Sequence, residues 1–134
     1  MLTLKTNNRE VVELMNGLYN VQNLEGKAFG LAVSKNIKIV QNELQELEKA
    51  SNPSEEFLVL SKQAILVKDD EAAIKALEDE NPLVVQDRKD QLDMLDKMLE
   101  EEIEISLHTI EENALPNNIT ASQIASLGVL VVVG

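Results

Sequence analysis

A chain of 134 residues with 44% hydrophobic side chains suffices for one modest core, but only Tyr19, Phe29 and Phe57 are aromatic. That excludes a stacking platform for nucleic-acid bases, and the net charge of -12 disfavours contact with phosphates. The absence of cysteine removes disulfides, thiolate metal sites and cysteine nucleophiles together.

The chain opens with Leu2 and Leu4 alternating with Thr3 and Lys5, the pattern of a short strand. Met1–Arg9 has no apolar segment of the kind a signal peptide needs, so a secreted product is not expected. Asn7 or Asn8 is placed to cap a helix over 9–21, with Glu10 at capping-box spacing from Asn7 and Val11, Leu14, Met15 and Leu18 on one face. Asn23–Gly26 reads as a break.

A long helix follows over 27–50. Val33, Ile37, Val40, Leu44 and Leu47 are spaced 4, 3, 4, 3, as in a coiled-coil seam. Gly30 is either a point of close approach for another element or a tolerated helix glycine. Asn52 as cap, with Pro53 at the first helical position, starts the next helix, which carries Phe57, Leu60, Ala64 and Val67. The run 68–71 interrupts it, and Ile74 and Leu77 resume a short helix. Asn81-Pro82 starts the last long helix, over 82–101, with a second seam at Val85, Arg88, Leu92, Leu95 and Leu99. Arg88, in a core-type position, is expected to pair with a glutamate of the facing helix or to snorkel.

Residues 102–110 then alternate with a period of two: Ile103, Ile105 and Leu107 against Glu102, Glu104, Ser106 and His108. This strand is expected to pair with the N-terminal one. Its isoleucines and Leu107 would lie under Phe29 and Leu31, and His108 would face away. Thr120 and Gln123 form a capping-box pair for a short helix that Gly128 ends. The apolar segment Val129, Leu130, Val131, Val132, Val133 is either a third strand or a tail that docks on another chain.

The expected fold is therefore α+β and mostly α. A long antiparallel, coiled-coil-like helical hairpin over 33–101 stands on a small base, 1–32 and 102–134, with a two- or three-stranded sheet, all in one domain. Between Asp69 and Glu104 there are 14 acidic residues against four basic ones, Lys75, Arg88, Lys89 and Lys97, so -10 of the charge is concentrated there. Such a run is a solvated face or a surface for a basic partner.

Catalytic signals are sparse. The single histidine, His108, is either a general base oriented by Glu104 or a solvent-facing strand residue. The carboxylate runs 69–71, 78–80 and 100–102 and the triplet Asp90, Asp93, Asp96 lack the spacing and glycine of a calcium loop. There is no phosphate loop, dinucleotide motif or nucleophile elbow, so neither an enzyme nor a cofactor is expected. The longest apolar run, Leu127–Val133, is far too short to span a membrane.

Met1–Lys5, the helix start Gly26-Lys27-Ala28-Phe29-Gly30-Leu31-Ala32-Val33-Ser34-Lys35-Asn36, the segment Glu102–Ile110 and the turn Leu115-Pro116…Ile119-Thr120 together resemble a set of short, uncharacterised tailed-phage proteins. The likeness covers most of the chain. That set shares a short first strand, two long acidic helices, an alternating Ile/Glu segment and a closing LP…IT turn; it often ends on acidic residues, where this chain is apolar. The resemblance implies a phage-encoded interaction protein: a minor head, neck or tail component of the virion or an assembly factor. Its partners would be virion neighbours or further copies of itself, with Val129–Val133 as the interaction segment. The alternative is an acidic host-takeover protein that occupies a basic groove of a host protein. Either reading places it in the virion or the host cytoplasm, away from nucleic acid and membranes.

Overall fold

A computed structural model describes residues 1–68 and 70–133. Their elements are β1 (Leu2–Asn7), α1 (Asn8–Val21), α2 (Lys27–Ser51), α3 (Glu55–Leu66), α4 (Glu71–Glu80), α5 (Pro82–Glu100), β2 (Glu102–Leu107), β3 (Ile110–Glu111), α6 (Ala121–Leu127) and β4 (Val131–Val132). The fold is α+β and mostly helical, and the chain divides into two compact units, 1–46 with 99–134 and 47–98. The run 69–71 is described only at Asp70 and Glu71; Asp69 lies outside the described residues.

In the first unit β1 and β2 pair antiparallel, Leu2 opposite Leu107 and Asn7 opposite Glu102. The alternation sorts the faces as the sequence predicts. Ile105 and Leu107 are buried and Ile103 half-buried, while Glu102, Glu104 and Ser106 are exposed. On the outer face the Thr3 and Ser106 hydroxyls share a 2.9 Å hydrogen bond across the strands. The core joins Val11, Met15, Leu18 and Val21 of α1, Phe29, Val33, Val40 and Leu44 of α2, and Ile105, Leu107, Ile110, Leu127 and Leu130. Leu31 is exposed, not over the strand, because it lies on the opposite side of α2 from Phe29 and Val33. The burial of α2 as far as Leu44 carries the first unit beyond residue 32.

The inward stripe of α2 runs Phe29, Val33, Asn36, Val40, Leu44, so Asn36 takes the place that apolarity alone assigns to Ile37. The reason lies at the end of β2. The pairing with β1 stops at Leu2 and Leu107, which leaves His108 without a strand partner. The fully buried Asn36 amide replaces it: Nδ2 donates to the His108 carbonyl at 2.9 Å, and the His108 N–H donates to Oδ1 at 2.7 Å. Both main-chain groups are thus satisfied away from water. The strand stops there, and Ile110–Glu111 pairs parallel with Val131–Val132 as a separate two-stranded sheet. The C-terminal segment therefore does not extend the β1–β2 sheet. The chain crosses between β3 and β4 through α6, as a parallel pair requires.

Helix ends follow local chemistry. The Asn7 side chain accepts the Glu10 N–H at 2.9 Å. The reciprocal half of that capping box is absent, because the Glu10 carboxylate takes the Thr6 hydroxyl instead. Thr120 and Gln123 form a complete capping box on α6. Gly128, with φ of 53°, ends that helix. Gly30 has nothing near its missing Cβ, so it is a tolerated helix glycine. Gly17 is where elements meet closely: a Cβ there would sit 2.8 Å from the Ser126 carbonyl oxygen, where α6 packs on α1.

In the second unit α3 starts two residues later than Pro53 predicts. Ser54 is the cap, accepting the Phe57 N–H, and Asn52 belongs to the end of α2. Its carbonyl and that of Ala50 each accept a hydrogen bond from Gln91 Nε2, at 2.7 and 2.6 Å. Arg88 donates to the Ser51 carbonyl and to Gln91 Oε1, and its guanidinium lies 5.3 Å from the centre of the Phe57 ring. Arg88 therefore neither pairs with a glutamate nor snorkels. A cation and an amide close the carbonyl end of α2, where both hydrogen bonding and the helix dipole favour them. Of the second seam, Leu92 is 45% exposed and Gln91 points inward in its place. The helix α5 starts at Pro82 as its sequence predicts, with the Asn81 carbonyl accepting the Val85 N–H, while the Asn81 side chain donates to the Leu77 carbonyl at the end of α4.

Candidate interaction surface

The helix α3 is apolar on two sides. Phe57, Leu60 and Ala64 turn inward and, with Ile74, Leu77 and Val85, line an apolar cleft of about 150 Å³. Leu58 and Ile65 are seven residues apart, as are Val59 and Leu66, so the two pairs stack on one outer side two turns apart. All four are exposed, Leu66 at 85%. The helix tolerates its β-branched residues because its start is well made. Ser54 caps it, and Glu55 and Glu56 in the first turn complement its dipole.

At the turn between α3 and α4, Ile65, Leu66 and Val67 form a shallow apolar hollow with Lys68, Asp70 and Glu71. Asp70 is fixed there because its Oδ1 accepts the Ala73 N–H and caps α4 at 3.0 Å. The outer side of α3 is thus an apolar stripe with carboxylates at each end and Lys62 between them.

The two units bury apolar side chains very unequally. Among the described residues, Leu60 is the only hydrophobic residue of the second unit that is buried. The first unit buries 13. The second unit also exposes Leu58, Val59, Ile65, Leu66, Leu83, Leu92 and Met94. Such a concentration of exposed apolar side chains makes this side of the second unit the candidate surface.

The residues singled out in the sequence are placed as follows. Leu130 is fully buried in the first unit, and Val131 and Val132 are half-buried in the pairing with β3. Val129 and Val133 are exposed. Val129 borders a groove of about 420 Å³ between Leu4, Val11, Leu14, Ile105 and Leu127, with Glu10 and Glu13 also on its wall. His108 is half-buried rather than solvent-facing, since Asn36 draws its main chain inward. Among the described residues no hydrogen bond joins its ring to Glu104, which is exposed opposite Lys5, three register positions from the end pair Leu2 and Leu107. The carboxylates of α5, Asp87, Asp90, Asp93 and Asp96, are exposed, and Asp90 accepts a hydrogen bond from Gln86 at 2.9 Å. Among the described residues no group of three or more such side chains is gathered as a metal-ligand set, and no helix is long and apolar enough to cross a membrane.

The outer side of α3 was legible in one signal, the blocks Phe57–Leu60 and Ile65–Val67. Three or four consecutive apolar residues cannot all point to one side of a helix. Seam spacing alone selects the inner set and passes over the outer one.

No protein-family model matches the chain, and no curated protein and no solved structure is significantly similar to it.

Proposed function

We propose that this chain is a non-enzymatic protein–protein interaction protein, phage-encoded, and a minor virion component or assembly factor. The observation that supports an interaction role is the exposed apolar side of α3, Leu58, Val59, Ile65 and Leu66, in a unit that buries a single hydrophobic residue among those described. The phage setting rests on the sequence resemblance, and the reading of 33–47 and 85–99 as arms of an antiparallel hairpin rests on their heptad spacing. Mass spectrometry of purified particles tests the virion role: recovery at a fixed copy number supports it. Absence from particles that hold their other structural proteins overturns it. Light scattering of the isolated chain reports whether further copies are among its partners.

The exposed carboxylates of α5 favour a second reading, an acidic inhibitor that occupies a basic groove on a host protein. Binding of that kind would fall steeply with added salt and be indifferent to Leu66→Asp. Binding through α3 would instead be lost in Leu66→Asp and depend less steeply on salt.

A further inference from the structure

Resting on the reading of α3 as an interaction surface, we propose that its occupant is an amphipathic helix of a different protein, with an apolar stripe and basic residues at both ends.

The stripe from Leu58 to Leu66 is about 12 Å long, two turns of helix, which suits anchors at i, i+3 or i+4 and i+7. Its length and straightness come from a single helix, so no sheet edge is offered to an extended peptide. The charges at its ends define the partner's polarity. Glu55 lies on the same side as Leu58 and Leu66 at the start of α3, and Asp70 and Glu71, against the single cation Lys68, leave the border of the hollow at the other end acidic. Lys62 lies between the apolar pairs, all of them exposed.

A second copy of the chain does not meet these requirements. Antiparallel pairing of two α3 helices about Lys62 sets Leu58 against Leu66 and Glu56 against Lys68, but it also brings Glu55 towards Asp70 and Glu71 of the other copy and sets one Lys62 against the other. Parallel pairing sets every charge against itself. Each copy also carries -12 overall. Like charges face each other in both arrangements, whereas a helix with lysine or arginine at its ends finds an opposite charge at each.

The test uses the full chain and a synthetic helical peptide of about 18 residues, long enough for five turns. The peptide has leucines in one stripe and lysines at both ends, and a scrambled peptide of the same composition is the control. Fluorescence anisotropy at low salt should show saturable 1:1 binding of the striped peptide only. Leu66→Asp should weaken it at least about ten-fold, as expected of an apolar anchor replaced by a charge, and Leu66 is so exposed that folding should be preserved. Glu55→Gln with Glu71→Gln should weaken it less and flatten its salt dependence. Equal binding of the scrambled peptide overturns the proposal, because charge alone then suffices. A wild-type dimer that Leu66→Asp dissociates also overturns it in favour of a second copy, while leaving α3 as the interaction surface. Leu66→Asp without effect on either peptide binding or self-association removes both the occupant and the surface.

Discussion

At the scale of single residues, two glycines and one asparagine carry more than their size suggests. Gly17 and Gly30 are both in helices, and helix propensity alone would make alanine the better residue at each by up to about 1 kcal/mol. Their surroundings separate them. At Gly30 nothing lies within 4 Å of the added Cβ, so Gly30→Ala should stabilise by about 0.5–1 kcal/mol, read as a higher urea midpoint. At Gly17 the Cβ would meet a main-chain oxygen, Ser126 O, at 2.8 Å. The Gly17→Ala change should therefore destabilise by about 1–3 kcal/mol, the usual range for overpacking, unless α6 gives way. Asn36 supplies both a donor and an acceptor to His108. Its replacement by alanine leaves a buried N–H and a buried carbonyl without partners, at about 1–3 kcal/mol for each group. Asn36→Ala should thus be among the most damaging single changes outside the apolar core. Asn36→Asp should be no milder, since it keeps the acceptor but turns a carboxylate oxygen towards the His108 carbonyl. Hydrogen exchange localises the effect: the His108 amide should lose protection in both variants. Retained protection there would show that the amide pair is not what holds the strand end.

At the scale of elements, the helices were legible because their periodicity is long, and the pair β1–β2 because its alternation is strict. Leu2, Leu4 and Thr6 face one way opposite Leu107, Ile105 and Ile103, as a period of two demands. What escaped the sequence was the work of polar side chains between elements far apart in the chain. Asn36 lies 72 residues from His108, and Gln91 lies 41 residues from Ala50. No local spacing reports such pairs, so a seam chosen for apolarity took Ile37 over Asn36 and Leu92 over Gln91. The candidate surface escaped for a related reason. Once Phe57, Leu60, Ala64 and Val67 satisfied a heptad, Leu58, Val59, Ile65 and Leu66 were left unexplained. The C-terminal valines read as one segment, yet Leu130 is buried and Val129 exposed, because Gly128 and the short turn after it rotate the chain before β4. The contrast between Gln91 and Leu92 gives a direct test. Gln91→Ala removes two hydrogen bonds from the carbonyl end of α2 and should cost about 1–2 kcal/mol. Leu92→Gln, at an exposed position, should change stability by less than about 0.5 kcal/mol. Thermal and urea denaturation of the two variants check this. The reverse order of effects would restore Leu92 to a packed seam and demote the amide.

At the scale of the whole molecule, the distribution of buried side chains predicts how the chain opens. A fully buried Leu, Val or Phe contributes about 1.5–3 kcal/mol through apolar burial. Among the described residues the first unit has 13 buried hydrophobic side chains, most of them with almost no exposure, and the second only Leu60, although the second spans 47–98. The second unit relies instead on half-buried Phe57, Ile74, Leu77 and Val85 around a cleft, and on the hydrogen bonds of Arg88 and Gln91 to the end of α2. Few enclosed contacts and many solvent-exposed backbone hydrogen bonds mean low local opening free energy. Hydrogen exchange followed by mass spectrometry should therefore find the amides of α3 and α4 exchanging far sooner than those of α1 and of α2 near Phe29–Val40. The difference should exceed ten-fold in rate, the equivalent of about 1.4 kcal/mol in opening free energy. An occupant on the outer side of α3 binds the closed form and not the open one, so it must slow exchange there by mass action. Saturating striped peptide should accordingly protect α3 and leave α1 unchanged, and Leu66→Asp should abolish that protection. Uniform exchange across both units, governed by one global opening, would contradict this account. It would show that the second unit draws on stabilisation beyond its own enclosed side chains.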